Sequence, residues 1–221
     1  MTIYIAHLYY DLMNLYGELG NIKALTYSLK KQNIKIEVDN LSINDKIDFN
    51  KYDLIYIGCG TEKNQLIALN DILKYKKEIK DYIENDKFII ATGNSLELFG
   101  KRIDKNEALN IFSYTSTYLD KRIVGDYIKD LDKYKLIGFL NIGSKIENNE
   151  YPLFDEKTGV TYKNFYGTYL LGPILVRNPE LNKDIINKLI KSKDKKFKFK
   201  SFDLKLDKKA HDSYLKTYHS N

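Results

Sequence analysis

The 221-residue sequence is poor in the residue types that most often carry covalent, redox and metal chemistry. It has one cysteine, Cys59, and three histidines, of which His7 lies near the start and His211 and His219 near the end. A single cysteine excludes an intramolecular disulfide framework and any cysteine-rich zinc site. Because histidine is also scarce, few residues are left for acid–base catalysis near neutral pH. We expect neither a metal site nor a bound cofactor.

The chain also has few prolines and no long hydrophobic run. Proline occurs three times, and we find no linker rich in Pro, Gly or Ser and no internal repeat. We therefore predict a single domain over residues 1–221, with residues 201–221 as a C-terminal extension or helix. No apolar run approaches the ~20 residues that cross a bilayer. The first residues lack the basic lead and cleavage site of a signal peptide, so we expect a cytoplasmic protein with no membrane span.

Arginine is scarce as well, although the formal net charge is +6. Only Arg102, Arg122 and Arg177 are arginine, so 33 of the 36 basic residues are lysine. Proteins that read nucleic acids usually combine arginine forks with lysine, so we expect no nucleic-acid partner. The densest basic run, residues 191–200, alternates Lys with Phe. It favours a solvated charged face, with an edge strand or an electrostatic docking patch as alternatives.

The chain has ample hydrophobic residues, and their spacing predicts the fold class. The sequence is 43% hydrophobic and 30% charged, as in soluble globular proteins. Apolar runs predict strands over residues 2–8, 34–38, 53–57 and 87–91, and helical spacing predicts helices over 21–32 and 65–84. The second half predicts strands over 122–128, 136–141, 160–162 and 166–170, then helices over 179–190 and 208–218. This order predicts an α/β fold with a mostly parallel sheet covered by helices.

Three turns at predicted strand ends indicate a candidate site, because ligands bind outside the carboxyl ends of parallel strands. One turn contains Gly58 and Gly60, the second contains Gly93 and Asn94, and the third lies within residues 169–173. Glycines there let backbone N–H groups face a ligand, so Gly58, Gly60 and Asn94 are candidate oxyanion donors. The strand, turn and helix around Gly93 have the layout of a nucleophile elbow.

Five collinear segments that cover nearly the whole chain carry a resemblance to a known family. They read HLYYDLMNLYGELGNI (7–22), GCGTEKNQ (58–65), ATGNSLELFG (91–100), KRIVGD (121–126) and GTYLLGPILVRNP (167–179). With these segments the chain resembles class I glutamine amidotransferases of the cobyric acid synthase (CobB/CobQ) type, and most closely the amidotransferase subunits of lipid II isoglutaminyl synthase. The resemblance implies a three-layer α/β domain of flavodoxin-like build.

The resemblance also implies an activity and a partner. In such proteins a cysteine–histidine pair hydrolyses glutamine, and the ammonia passes to a Mur-ligase-like, ATP-dependent synthetase. That synthetase amidates the D-glutamate carboxylate of lipid II during peptidoglycan biosynthesis, so a heterodimer with such a partner is expected. Arg122 matches an arginine near the active centre of relatives, and is expected either to bind a substrate carboxylate or to form an ion pair. Glu62, Asn64 and Gln65 match a polar motif that is expected either to contact the partner or to cap a helix.

Two departures from the family pattern decide the expected function. The nucleophile position aligns with Gly93, and the position of the catalytic histidine aligns with Leu171. Glycine has no atom that attacks a carboxamide, and leucine cannot accept or return a proton. We therefore predict a catalytically degenerate subunit that binds the synthetase and acts in its assembly, regulation or ligand sensing. A remnant pocket for glutamine or a related amino acid is expected to survive.

Two alternatives stay open at this point. The first is an active amidotransferase with an unrecognised nucleophile. Cys59 lies in the neighbouring turn and not at the elbow, His7 is expected to bond the loop after the first strand, and the hydroxyls of Thr92 and Ser95 would need a strong base. The second alternative is a free-standing module that binds small molecules.

Overall fold

The strands form two sheets in the computed structural model, which describes residues 1–219. They are β1 (Thr2–Leu8), β2 (Lys35–Leu41), β3 (Leu54–Ile57), β4 (Phe88–Thr92), β5 (Arg102–Ile103), β6 (Asn106–Glu107), β7 (Thr115–Asp130), β8 (Lys135–Glu147), β9 (Pro152–Leu153), β10 (Asp155–Tyr162) and β11 (Phe165–Thr168). The larger sheet has the order β2-β1-β3-β4-β11-β10-β9, and the smaller one has the order β6-β5-β7-β8.

The parallel part of the larger sheet positions the site. Strands β2, β1, β3, β4 and β11 are parallel neighbours, while β10 and β9 extend the sheet in antiparallel fashion. With β11 as the fifth strand, the parallel order is 2-1-3-4-5, as in flavodoxin-like folds. Every residue of β3 and β4 is buried, as expected for parallel strands covered on both faces. The carboxyl ends of β3, β4 and β11 meet at one edge, where the three predicted turns lie.

Helices cover both faces of this sheet. They are α1 (Leu19–Lys31), α2 (Glu62–Ile72), α3 (Lys76–Glu84), α4 (Ile174–Arg177), α5 (Pro179–Lys193) and α6 (Lys205–His219). One core cluster packs α2 and α3 against one sheet face, and a second packs α1 and α5 against the other. The predicted three-layer α/β architecture with a mostly parallel sheet is therefore confirmed. Within residues 1–219, no helix has the length and apolar character to cross a membrane.

The helix predicted over residues 65–84 is interrupted. A 3₁₀ turn, Leu73–Tyr75, separates α2 from α3. Tyr75 leaves the helical path because its side chain is anchored elsewhere: its hydroxyl donates to the Asp45 carbonyl at 3.1 Å, and its ring lies 5.5 Å from that of Phe49. Helical spacing in the sequence does not reveal this anchor.

Strands β7 and β8 form a hairpin much longer than the strands predicted over 122–128 and 136–141. The pairing register shifts between Tyr118 and Ile123, which marks a bulge in β7. The part of β7 before the bulge, residues 115–118, has no apolar residues at alternate positions, so the sequence pattern does not predict it as a strand.

The basic run over residues 191–200 forms no strand. Helix α5 continues to Lys193, and no strand follows it within the described residues. Phe197 and Phe199 pack against the core, while the alternating residues Lys198 and Lys200 are exposed. The backbone of Lys200 pairs with the Gln32 side chain through two hydrogen bonds of 2.8 Å. The edge-strand alternative is therefore wrong, because a side-chain amide takes the place of a neighbouring strand.

Candidate functional site

Gly93 follows β4 directly and is the first residue of the 3₁₀ segment Gly93–Phe99, where the chain turns sharply. Its φ is +64°, a left-handed conformation that favours glycine. A Cβ built on Gly93 would lie 2.5 Å from both Cβ and Sγ of Cys59 and 3.0 Å from Cδ2 of Leu171. The fold thus brings Cys59 and Leu171 to the same point beside the turn. Cys59 belongs to the neighbouring turn, as the sequence predicts, but its side chain packs directly against the elbow.

The surroundings of Cys59 suppress its nucleophilicity. The residue is buried, and its thiol contacts the Gly60 carbonyl at 3.7 Å. Burial raises the pKa of the Cys59 thiol to about 12; the charge of Glu18 adds to this effect, and the backbone N–H of Asn94 opposes it. The nucleophilic thiolate is therefore scarce at neutral pH. Leu171 is also buried and is fixed by a backbone pair with Phe139, with N–O distances of 2.9 and 3.3 Å.

One candidate oxyanion donor, the Gly60 N–H, is used within the protein. The Gly60 N–H donates to Oδ1 of Asn94 at 3.0 Å, and Nδ2 of Asn94 donates back to the Gly60 carbonyl at 3.0 Å. This pair of hydrogen bonds leaves the Gly60 N–H unavailable to a ligand. A Cβ on Gly58 would lie 2.4 Å from the Met13 carbonyl oxygen, and one on Gly60 would lie 2.4 Å from Sδ of Met13. Both glycines therefore permit close packing of the loop before α1.

Arg122 forms an ion pair with Glu62, the second of the two roles expected for it. Its Nε donates to Oδ1 of Asn141 at 2.9 Å and its Nη2 to the Asn141 carbonyl at 2.8 Å. Burial alone would raise the pKa of Glu62, but Arg122 outweighs this effect and holds that pKa below its usual value. A Cβ on Gly143 would lie 2.8 Å from Nη1 of Arg122, so glycine at 143 gives the guanidinium its room.

Arg122 and Glu62 help to line a cavity of about 10 Å³. Such a volume admits about one water molecule, so the cavity excludes an amino acid in this conformation. Its lining residues come from the two glycine turns, the β7–β8 hairpin and the end of β11: Cys59, Gly60, Glu62, Gln65, Asn94, Glu97, Tyr118, Arg122, Asn141, Ile142, Gly143, Ser144 and Tyr169.

Glu97, which the sequence did not single out, is a buried carboxylate on this cavity. It accepts hydrogen bonds from Ser144 Oγ, from Tyr169 Oη at 3.0 Å and from Gln65 Nε2 at 3.0 Å. Burial raises the pKa of Glu97, and these three donors oppose that rise. Gln65 is itself buried, so it neither caps the helix nor is available to a partner. The cap comes from Thr61, whose hydroxyl accepts the Asn64 N–H at 3.1 Å.

A second buried carboxylate, Glu18, joins the loop before α1 to the strands beneath the elbow. It accepts hydrogen bonds from Thr92 Oγ1 and from Tyr56 Oη, the latter at 2.6 Å. Burial raises the pKa of Glu18 to about 7, and these hydrogen bonds oppose the rise. Ser95 donates instead to the carbonyls of Ile57 and Thr92, at 3.0 and 2.9 Å. Both hydroxyls beside the elbow are therefore engaged in structural bonds. Nothing in the residue pattern signals that these carboxylates are buried.

His7 is buried and packs its ring 5.4 Å from that of Tyr56. Neither ring nitrogen forms a well-oriented hydrogen bond within the described residues, so the expected bond to the following loop is absent. Burial lowers the pKa of His7 to about 4, an effect that the Asn40 side chain partly opposes. His7 is thus a neutral core residue at physiological pH.

Comparison with known proteins gives one consistent answer. Residues 4–179 match the family model of the CobB/CobQ-like glutamine amidotransferase domain. Over 220 residues the chain is 30% identical to a lipid II isoglutaminyl synthase (glutamine-hydrolyzing) subunit GatD from Staphylococcus aureus, covering 92% of this chain and 90% of the relative. Over 214 residues it is 34% identical to the subunit of that name from Streptococcus pneumoniae, covering 86% and 81%. A crystal structure of a glutamine amidotransferase matches with a TM-score of 0.55 at 12% identity, covering 83% of this chain and 98% of the other.

Proposed function

The chain belongs to the CobB/CobQ-like glutamine amidotransferase family, and from this premise we propose that it is a non-hydrolysing subunit of a complex like lipid II isoglutaminyl synthase. It binds a Mur-ligase-like, ATP-dependent synthetase in the cytoplasm and acts in the assembly, regulation or ligand sensing of that enzyme. The synthetase then draws ammonia from solution.

The turn at Gly93 carries this proposal. Amide hydrolysis by this fold needs a nucleophile, a proton carrier and oxyanion donors at one point. The point above the turn has no side chain at 93 and a hydrocarbon at Leu171. The Gly60 N–H is already bonded to Asn94. The family positions of the nucleophile and the proton carrier thus lack reactive atoms, and one candidate oxyanion donor is already engaged. The thiol of Cys59 does lie at this point, but its pKa is raised.

The ion pair between Arg122 and Glu62 supports a role other than turnover. Its two residues line the cavity that an amino acid would have to enter, and this cavity is too small for one. A glutamine-sensing role requires this pair to open, which frees the guanidinium to bind the ligand carboxylate. The pair is half-exposed, so opening it costs little, about 0–1 kcal/mol.

The test is glutamate release from glutamine, measured with the purified chain alone and with the synthetase. We expect no release above the buffer background in either case, and we expect the two proteins to co-purify. A glutamine-hydrolysing relative serves as the positive control. Elution of the chain without the synthetase would instead favour the free-standing binding module.

A second candidate function is glutamine hydrolysis by Cys59, and one observation favours it: the thiol lies in the space above Gly93. Against it stand the raised pKa of Cys59 and the absence of a base at Leu171. Glutamate release that is present in the wild type and lost in Cys59→Ala would establish this candidate and overturn the non-hydrolysing subunit.

A further inference from the structure

The cavity that Arg122 and Glu62 help to line is also lined by a buried glutamate, Glu97, which has no ion-pair partner within the described residues. Glu97 is 0% exposed, and its carboxylate receives three hydrogen bonds from neutral groups. Burial raises the pKa of Glu97 and these three donors oppose that rise, so a cation beside the carboxylate would further favour its ionised form. Within residues 1–219 no cationic side chain forms an ion pair with Glu97. A buried carboxylate either pairs with a cation or takes up a proton, so a cation small enough to enter the cavity would stabilise the ionised form of Glu97.

Gln65 supplies a second, independent observation. It is 0% exposed, and its Nε2 donates to the Asn94 carbonyl at 2.7 Å and to Glu97. Its Oε1 has no hydrogen-bond partner within the part of the chain that the structure describes, although the residue lines the cavity. A buried amide oxygen without a donor costs about 1–3 kcal/mol of desolvation, which a donor in the cavity would offset.

Size and chemistry together limit the occupant. The cavity has about 10 Å³, which suits a particle of the size of one water molecule. Arg122 cannot serve, because its guanidinium is bonded to Glu62 and Asn141. An ammonium ion is close to water in size, carries the missing positive charge, and has four N–H donors for surrounding oxygen acceptors.

We propose that this cavity binds a single ammonium ion, with the Glu97 carboxylate as its counter-ion and Gln65 Oε1 as a neutral acceptor. The biological meaning of the site rests on the proposed function, since a synthetase partner that uses free ammonia would benefit from a subunit that senses it. The binding itself is a property of this chain alone.

The experiment compares thermal unfolding of the purified chain at pH 7 in ammonium, potassium, sodium and tetramethylammonium chlorides at equal ionic strength. We expect ammonium to raise the melting temperature above its value in tetramethylammonium, by roughly 3–6 °C at ten times the dissociation constant. In Glu97→Gln, which keeps the shape but loses the charge, this rise should vanish. The matched control is Glu18→Gln, which removes another buried carboxylate that does not line the cavity and should keep the rise.

Three outcomes would overturn the proposal: equal melting temperatures in ammonium and tetramethylammonium, an ammonium response that survives in Glu97→Gln, or equal stabilisation by potassium. The comparison of salts needs only the wild type, so it decides the matter even if a variant fails to fold. Because neither glutamine nor the synthetase is present, failure here is distinguishable from failure of the proposed function.

Discussion

The side chain of Cys59 fills the space that a side chain at position 93 would need, and this space is free because residue 93 is glycine. The thiol of Cys59 lies 2.5 Å from where a Cβ of residue 93 would be, far inside van der Waals contact. The absence of a side chain at 93 and the presence of one at 59 are therefore structurally coupled. Neither residue can be understood by comparing its own position with relatives alone.

This coupling predicts the behaviour of Gly93→Cys. The new side chain must displace Cys59 and adopt a left-handed backbone, so we expect a loss of about 1–3 kcal/mol in the free energy of unfolding. In a Cys59→Gly background the same substitution should cost clearly less. Urea unfolding of the four proteins in this double-mutant cycle measures the coupling.

The coupling would be refuted if the two substitutions proved additive. We expect Gly93→Cys to release no glutamate from glutamine in either background, because Leu171 still supplies no base.

Helix α1 meets the segment before α4 through a contact that depends on glycine. A Cβ on Gly20 would lie 2.4 Å from Cγ of Pro173. Gly20 and Pro173 belong to the first and last of the five family segments, so two distant motifs meet in one packing contact. The segment that carries Leu171 is held against α1 in this way.

Gly20→Ala is therefore expected to destabilise the protein, although alanine favours helix by ~1 kcal/mol over glycine. The overlap with Pro173 should outweigh this gain and lower the free energy of unfolding by about 1–3 kcal/mol. Gly125→Ala is the control, because a Cβ there would have no atom of the described residues within 4 Å. It should change stability by no more than about 0.5 kcal/mol. A stabilised Gly20→Ala would show that α1 can move away from Pro173 at little cost.

The elements show what the sequence could and could not predict. Strands β3 and β4 were found because they are continuous apolar runs, and α5 because its apolar residues repeat at helical spacing. The β7 bulge and the break at Tyr75 were missed, since each depends on contacts distant in sequence. The same limit applies to the site. Gly93 and Leu171 can be identified from the sequence because they align with the nucleophile and histidine positions of the family. The burial of Glu97 and Glu18, and the hydrogen bonds between Gly60 and Asn94, depend on contacts between loops that are distant in sequence.

The stability of the molecule depends on two buried groups whose titrations act in opposite directions. The pKa of His7 is about 4 in the folded protein against 6.5 for an exposed histidine, so the unfolded chain binds more protons between those values. The pKa of Glu18 is about 7 against 4.5, so there the folded protein binds more. From pH 4.5 to 6.5, the His7 contribution to stability rises with pH while the Glu18 contribution falls.

Single substitutions should separate the two contributions. As the pH rises from 4.5 to 7, the free energy of unfolding of Glu18→Gln should increase by up to about 3 kcal/mol relative to that of the wild type. The reason is that the variant lacks the Glu18 contribution, which falls over this range. As the pH rises from 4 to 6.5, the free energy of unfolding of His7→Phe should decrease by about 3 kcal/mol relative to that of the wild type, because the variant lacks the rising His7 contribution. Urea unfolding across this range measures both differences, and all other titrating groups cancel in them. Two curves parallel to wild type would contradict the assignment.

The contact between Cys59 and Gly93 also constrains the evolutionary paths open to this chain. A single mutation that placed a thiol at position 93 would meet an occupied site, and one that removed Cys59 first would leave an unfilled hollow with no gain in chemistry. A fitness valley therefore separates the present form from a hydrolase. We expect lineages that descend from it to drift further from glutamine cleavage rather than regain it.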